Sequence, residues 1–313
     1  MAKIDVSIIM LTRNAGNQFN NTLEAIFKQV TKYKKEVIVI DTASTDDTLN
    51  IAKEFDVKIV NITKEEFGHG KTRNYGAKIA NGEFLVFITQ DALPKGKDWL
   101  DNLLKPFSQK QVVGVYARQI PRDDASPFEK YFLTKRYPDI FHSKNLKKIL
   151  GPIKLENIFF SNVCSAIRRK ALLKIPFDED LIMSEDQQWA KEVILAGYSI
   201  AYQPKAIVIH SHTYKLPMVF RRFFDSGVSF KQMKDKGEFS LKLTEQGLLK
   251  DGLHHLKMEI KYLKKHGYGF LIPYDLVYNL MKYVGIEAGK RNHLFPKKLR
   301  KKMSLHSGFW ENK

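Results

Sequence analysis

Cysteine is all but missing from this chain of 313 residues. Cys164 stands alone, so no disulfide can form within the chain, and a reducing compartment fits. Acidic residues are scarce as well: 34 Asp and Glu face 52 Lys and Arg, a net charge of +18. The deficit is steepest at the end, where Tyr214 to Lys313 holds 21 of the basic residues and 9 of the acidic ones. Asymmetry of this size points to an anionic partner, whether a lipid surface, a nucleic acid or a phosphorylated substrate; a milder one would read as a solvated surface. Long apolar runs are absent too. In MAKIDVSIIML, Lys3 and Asp5 flank a run too short for a signal peptide. The best membrane-span candidate, Tyr268 to Ile286, carries Asp275 and Lys282 and is interrupted by Pro273. A cytoplasmic protein is the expectation. No repeat or low-complexity tract interrupts the chain, and 43% hydrophobic with 27% charged residues excludes a disordered polymer. The length suits one large domain or two ordinary ones.

What is present is an alternation of two periods over the first 120 residues. VSIIML (6–11), EVIVID (36–41), VKIVNI (57–62), EFLVFIT (83–89) and VVGVYA (112–117) read as buried strands. Between them run helical patterns. One covers 17–30, with Leu23, Ile26, Phe27 and Val30 on its apolar side. A second runs to Phe55 from a cap at Ser44 or Thr45, with Asp46 and Asp47 in its first turn. A third covers 70–80, and a fourth begins near Asp98. Strands and helices in this order predict a parallel α/β sheet, whose ligands bind beyond the carboxyl ends of the strands. Residues 122–157 read as a loop with short helices over that edge. A strand over 159–169, a short helix over 168–175, a helix over 184–198 capped by Ser184 and stopped by Gly197, and a last strand over 206–212 follow. Beyond Pro217 the pattern is mostly helical and basic.

Polar residues gather where such a sheet keeps its chemistry: Thr12-Arg13-Asn14 after the first strand, Asp41 after the second, Thr89-Gln90-Asp91 after the fourth. Asp41 suits the imide N–H of a uracil or thymine ring, and equally a turn before a helix. FGHGKTRNYGA (67–77) sets Gly68 and Gly70 before a helix start, where backbone N–H groups with Lys71 and Arg73 can hold a diphosphate. The spacing matches neither a Walker loop nor a dinucleotide fingerprint, so a tight basic loop explains it as well. Asp91 can bind a divalent cation together with substrate phosphate; its place at a strand tip favours that over a turn. Glu185 and Asp186 open a helix, where the dipole stabilises acids by about 0.3–1 kcal/mol and keeps them ionised, as a proton-accepting base requires. Spacing alone favours the structural role. His210 and His212, at i and i+2, share a strand face and can ligate a metal, although most such pairs do not.

Taken in order, SIIMLTRNAG, VIVIDTASTDDT, FGHGKTRNYGA, FITQDALP, YARQIPRDDASPFEKYF, FFSNVCSAIRR and MSEDQQWAKEVILAGY resemble the inverting nucleotide-sugar glycosyltransferases of family 2, and within them the rhamnosyltransferase-like group. The match runs from Val6 to about Tyr214; a weaker one, through YVGIEAGKRNHLFPKKLRKKMS, reaches the C-terminal end. The resemblance implies a GT-A nucleotide-diphospho-sugar transferase fold: α/β, with a mostly parallel central sheet flanked by helices and a mainly helical, basic C-terminal extension. Residues 1–214 would be the catalytic domain, binding the nucleotide sugar with 1–120 and the acceptor with 121–214, and 215–313 the extension. Thr12, Arg13 and Asp41 would lie along the nucleoside, Arg73 near the diphosphate, and Gln90 and Asp91 beside the donor. TQD stands where most relatives carry D-x-D, so Asp91 would be the metal carboxylate, with His212 as helper ligand for Mg²⁺ or Mn²⁺. Asp186 would be the catalytic base.

The implied reaction is one displacement that moves a sugar from dTDP-rhamnose or a UDP-sugar to a hydroxyl of a glycan or lipid-linked saccharide, with inversion. The basic tail would dock on an anionic membrane, Tyr274, Val277, Met281 and Val284 lining one side of a helix, or else pack on the catalytic domain; Gly285 and Gly289 allow close helix contact. An oligomer is compatible with either. Two rivals differ in class. A nucleic-acid-binding protein explains the charge, but its phosphates would meet acids at the strand tips. A sugar-1-phosphate nucleotidyltransferase uses a similar sheet and metal carboxylates.

Overall fold

The structure, a computed structural model, describes residues 3–145, 156–236 and 245–311, with backbone alone for 245–251. The first half alternates as the periodicity requires: β1 (Val6–Thr12), α1 (Gln18–Phe27), β2 (Lys35–Thr42), α2 (Thr48–Lys53), β3 (Lys58–Ile62), α3 (His69–Ile79) and β4 (Phe84–Ile88). Then come β5 (Leu93–Pro94), α4 (Trp99–Leu104), β6 (Val112–Ile120), α5 (Pro127–Arg136), β7 (His142–Lys144), β8 (Cys164–Arg168), α6 (Arg169–Lys174), α7 (Glu185–Leu195) and β9 (Ser199–Ile209). Among the described residues, four α-helices follow: α8 (Leu216–Asp235), α9 (Glu245–Lys265), α10 (Ile272–Lys290) and α11 (Lys297–Met303).

One sheet runs in the order β3-β2-β1-β4-β8-β6-β9-β5, with β7 also on β9. β3, β2, β1 and β4 are parallel, as are β6 and β9. β8 enters antiparallel between β4 and β6, so the sheet is mixed, with parallel strands in the majority as the resemblance implied. β1 lies between β2 and β4. The strand order therefore turns at β1, and a crevice opens beyond its tip. Ile8 and Met10 join the core under α1 and α4, while Ile9 joins the opposite one under α3 and α7. Burial on both faces is why VSIIML reads as an unbroken apolar run.

Several boundaries differ from the pattern for identifiable reasons. α1 stops at Phe27, and Val30, expected on its apolar side, is 71% exposed; its N–H pairs with Lys97 O instead. α2 starts at Thr48, because Asp46 accepts the Thr48 N–H and hydroxyl and closes a turn first. Only 164–168 of the stretch 159–169 pairs as a strand. α7 spans 185–195; Ser184 stands before it with φ 64° and makes no capping hydrogen bond, while Gly197 ends the segment in the left-handed region as expected. β9 begins at Ser199, not 206, and ends at Ile209. The His210 N–H still reaches Ile120 O, but Pro121 offers no donor to continue the ladder. His210 and His212 thus lie beyond the strand rather than on its face.

α10 lies against α8 through glycines. A Cβ on Gly289 would meet Phe224 O at 2.0 Å, and one on Gly285 would meet Phe220 O at 2.7 Å. The C-terminal helices also reach the catalytic half: Ser229 Oγ donates to Met183 O, two residues before α7. Among the described residues no helix is long and apolar enough to cross a membrane.

Candidate active site

The strand tips are tied to one another before any ligand is considered. Asp41, 1% exposed, accepts Thr12 Oγ1 at 2.9 Å, Ser44 N at 2.9 Å and Ser44 Oγ at 2.5 Å. A carboxylate has about four acceptor positions, so one is left. A cleft of about 420 Å³ opens there, lined by Asp41, Ala43, Ser44, Asn61, Thr63 and Glu66 among others. Gln90 binds the backbone of Arg13 twice, Oε1 accepting its N–H at 2.9 Å and Nε2 donating to its carbonyl at 3.3 Å. The Arg13 side chain itself is exposed. Among the described residues, three other than glycine have left-handed backbone, Asn14, Ala43 and Ser184. They follow β1, follow β2 and precede α7, so the strain, roughly 1–2 kcal/mol each, is concentrated around this edge.

TQDA forms the turn between β4 and β5, closed by Ala92 N to Thr89 O at 3.1 Å. It points Asp91 at two imidazoles. His212 Nε2 is 3.4 Å from Asp91 Oδ2 and His210 Nε2 is 3.7 Å from Oδ1; the three ligand atoms lie within 4.8 Å of one another. Gln119, at the end of β6, orients His210. Its Oε1 accepts from His210 Nδ1 at 3.0 Å, which leaves Nε2 unprotonated and facing Asp91. Burial lowers the His210 pKa to about 4, so the ring is neutral and fit to bind a cation. Burial opposes charge on Asp91 too, but the attraction of the two rings when they carry a proton outweighs it and holds the carboxyl below its ordinary range. Arg122 ties the elements together, its guanidinium donating to Asp91 O at 2.9 Å and its N–H to Ser211 Oγ at 3.1 Å. One carboxylate and two neutral imidazoles on fixed backbone fit a divalent cation.

Asp186 belongs to the same network. Gln119 Nε2 donates to Ser161 Oγ at 3.0 Å and to the Tyr137 hydroxyl. The next residue, Asn162, donates its N–H to Asp186 Oδ2 at 3.0 Å. The chain Asp91–His210–Gln119–Ser161–Asn162–Asp186 therefore connects both acids through one wall. Burial and then the Glu185 charge push Asp186 up to about 7, against the pull of the Asn162 N–H and Arg73. The helix N-terminus was expected to keep this acid firmly ionised; burial overrides it. Glu185 has a different task. It accepts Arg73 NH1 at 2.7 Å and Asn162 Nδ2 at 3.1 Å, and the Arg73–Glu185 pair is almost fully buried. Arg73, expected near a diphosphate, is 7% exposed and braces α3 against the start of α7.

Gln119, Ser161, Asn162 and Arg122 lie inside the stretches that carry the resemblance, but nothing in the sequence marks what each of them does. Gln119→Leu is expected to weaken Mn²⁺ binding by about 10–100-fold, because His210 loses the partner that sets its tautomer. Calorimetric titration of Mn²⁺ into the variant checks this.

The family model described as Glycosyl transferase family 2 matches residues 7–175. The O-antigen chain rhamnosyltransferase WbaN of Salmonella anatum is 34% identical, over 98% of this chain and 96% of its own length. RfbN of Salmonella typhimurium, described in the same words, is 33% identical over the same shares. Among solved structures, the mannosyltransferase PcManGT from Pyrobaculum calidifontis, in complex with GDP-Man and Mn²⁺, aligns with a TM-score of 0.61 at 18% identity, over 94% of this chain and 88% of that one. Residues 1–349 of S. aureus TarS align with a TM-score of 0.51 at 19% identity, over 93% and 91%. At those identities the likeness establishes the fold.

Proposed function

The chain belongs to glycosyl transferase family 2, as a nucleotide-sugar glycosyltransferase of polysaccharide synthesis, and we propose that it transfers rhamnose from dTDP-rhamnose to a saccharide hydroxyl by one displacement, with residues 1–214 as catalytic domain. The observation that carries this reading is the network joining the Asp91–His210–His212 cluster to Asp186. Asp41 offers its last acceptor position to the thymine imide, in the cleft beside Asn61 and Thr63. Gln90 keeps the β1 and β4 tips at a fixed separation, so Thr12 and Arg13 stay along the nucleoside. Asp91, His210 and His212 would hold Mn²⁺ in preference to Mg²⁺, which favours all-oxygen shells. That ion, when bound, offsets the charge gathering on the departing diphosphate. Asp186 removes the proton from the acceptor hydroxyl, on the side away from the nucleotide, so the anomeric centre inverts and a β-linked donor gives an α-rhamnoside.

The acceptor we propose is a lipid-linked saccharide at the cytoplasmic face of a membrane. Leu276, Val277, Leu280, Tyr283 and Val284 are each at least 40% exposed and follow one side of α10; Tyr274 is turned instead onto Phe128. Lys297, Lys298, Lys301 and Lys302 lie close by in sequence, as anionic lipid would require. Binding to vesicles that ignores anionic lipid and salt would remove the membrane from this reading.

Thermal melting with dTDP-rhamnose, UDP-GlcNAc and GDP-mannose, each with Mn²⁺, tests the donor. A ligand at 100 times its Kd adds about 2.7 kcal/mol of stability, so dTDP-rhamnose should raise Tm by several degrees more than the others. No shift with any of the three would overturn the reading.

A further inference from the structure

The end of the chain returns to the catalytic half and is latched there. Asp225, fully buried on α8, accepts the N–H of Leu305 at 2.8 Å and of His306 at 3.1 Å. Trp310, 3% exposed, packs with Ile182, Met183, Phe224 and Val228. The segment is therefore anchored at both ends, against α8 and against the two residues that lead into Ser184 and α7. This anchoring sets the His306 ring edge-on to His69, with centroids 4.8 Å apart and planes at 88°. His69 opens α3 and is held from behind, since Arg73 NH1 donates to its carbonyl at 3.2 Å. Arg222, one turn before Asp225, contacts Met183 Sδ at 2.7 Å and Tyr214, and forms no ion pair with any described residue.

These groups have unused bonding capacity. Neither imidazole makes a hydrogen bond to another described residue, although both are half-buried, with His306 within reach of the Glu185 charge. Burial, reinforced by neighbouring positive charge, lowers both rings to about 3, so each is neutral and presents one donor and one acceptor nitrogen. An apolar ligand would leave all of them unpaired. A simple anion would satisfy Arg222 and the two N–H groups but not the acceptor nitrogens. Neighbouring hydroxyls on a sugar ring both donate and accept, and match the whole set. Neither ring of this cluster lines the Asp41 cleft, while Arg222 borders the Asp91 cluster through Tyr214, whose ring stacks on His212. Two of the three residues, Arg222 and His306, lie outside the stretch 7–175 matched by the family model, where a partner particular to this chain would be read.

We propose that His69, Arg222 and His306 form the subsite that grips the acceptor saccharide beside the hydroxyl that Asp186 deprotonates. The proposal rests on the transferase reading above. The test uses the full chain, Mn²⁺ and dTDP-rhamnose, with the octyl glycoside among galactoside, glucoside, mannoside and rhamnoside that reacts fastest. His306→Ala and, on a separate element, His69→Ala should each raise the KM for the glycoside about tenfold or more, as the loss of one or two hydrogen bonds predicts. Calorimetric Kd for dTDP-rhamnose should stay within about twofold, and His306→Gln should recover part of the lost acceptor affinity because its amide both donates and accepts. An unchanged acceptor KM in both folded variants, or a donor Kd weakened as much as the KM, would overturn the subsite. Absence of transfer by the unsubstituted protein would instead count against the function proposed for it.

Discussion

Asp186→Asn is expected to lower transfer by about 10²–10⁴-fold, the range over which a positioned proton acceptor contributes, while the protein stays folded. The two halves of this expectation have separate causes. An amide cannot take the acceptor's proton, so the attacking oxygen must lose it to water. The fold, however, gains nothing from the Asp186 charge. Burial and Glu185 raise its pKa to about 7 in the folded chain, so ionising it there costs stability rather than adding any. The amide oxygen can still accept the Asn162 N–H that Asp186 Oδ2 accepts now. Melting temperature should therefore stay level or rise slightly as the rate collapses. Initial rates and a thermal melt on the same preparation check both, and near-normal turnover would remove Asp186 from the base role.

Asp91→Ala should be comparably damaging, by another route. It removes the one anionic member of the Asp91–His210–His212 cluster and leaves two neutral rings. Divalent cations of this class bind weakly without a carboxylate. Calorimetry should find Mn²⁺ binding lost, and transfer should fall by about 10²-fold or more, several kcal/mol of charge stabilisation being withdrawn from the leaving diphosphate. Chelator treatment of the unsubstituted protein should produce the same loss, and added Mn²⁺ should reverse it in that protein but not in Asp91→Ala. Activity that survives chelation would mean that the TQD turn works without a cation, with Arg122 and Arg222 as nearby charges.

The parallel half of the fold is visible in the sequence because its strands are buried on both faces and its helices on one, and each burial pattern has its own period. The polar tips after β1, β2 and β4 are visible for the same reason, as abrupt endings of apolar runs. Other features escape for physical reasons. An apolar run has no direction, so nothing marked β8 as antiparallel. The first half of β9 is masked by Gln203-Pro204: the register with β6 jumps there, Ala117 facing Gln203 and Arg118 facing Ile207, so the strand tolerates a proline that would end most strands. The acids and imidazoles of the site are recognisable one by one. What joins them is not, since Gln119 is 91 residues from His210 and Asn162 is 24 from Asp186. Arg73 shows the opposite hazard. Its basic loop suggests an anion site, yet its guanidinium is held inside by Glu185, 112 residues away.

The dependence of kcat on pH, at saturating donor, acceptor and Mn²⁺, examines the role of Asp186 without altering a residue. A base works only after losing its proton, so with Asp186 at about 7 the rate should climb about tenfold per pH unit on the acid side and level off above neutrality. The climb should vanish from the residual rate of Asp186→Asn. A flat profile from about pH 5 to pH 9, or one with the same slope in Asp186→Asn, would contradict proton removal by this carboxylate.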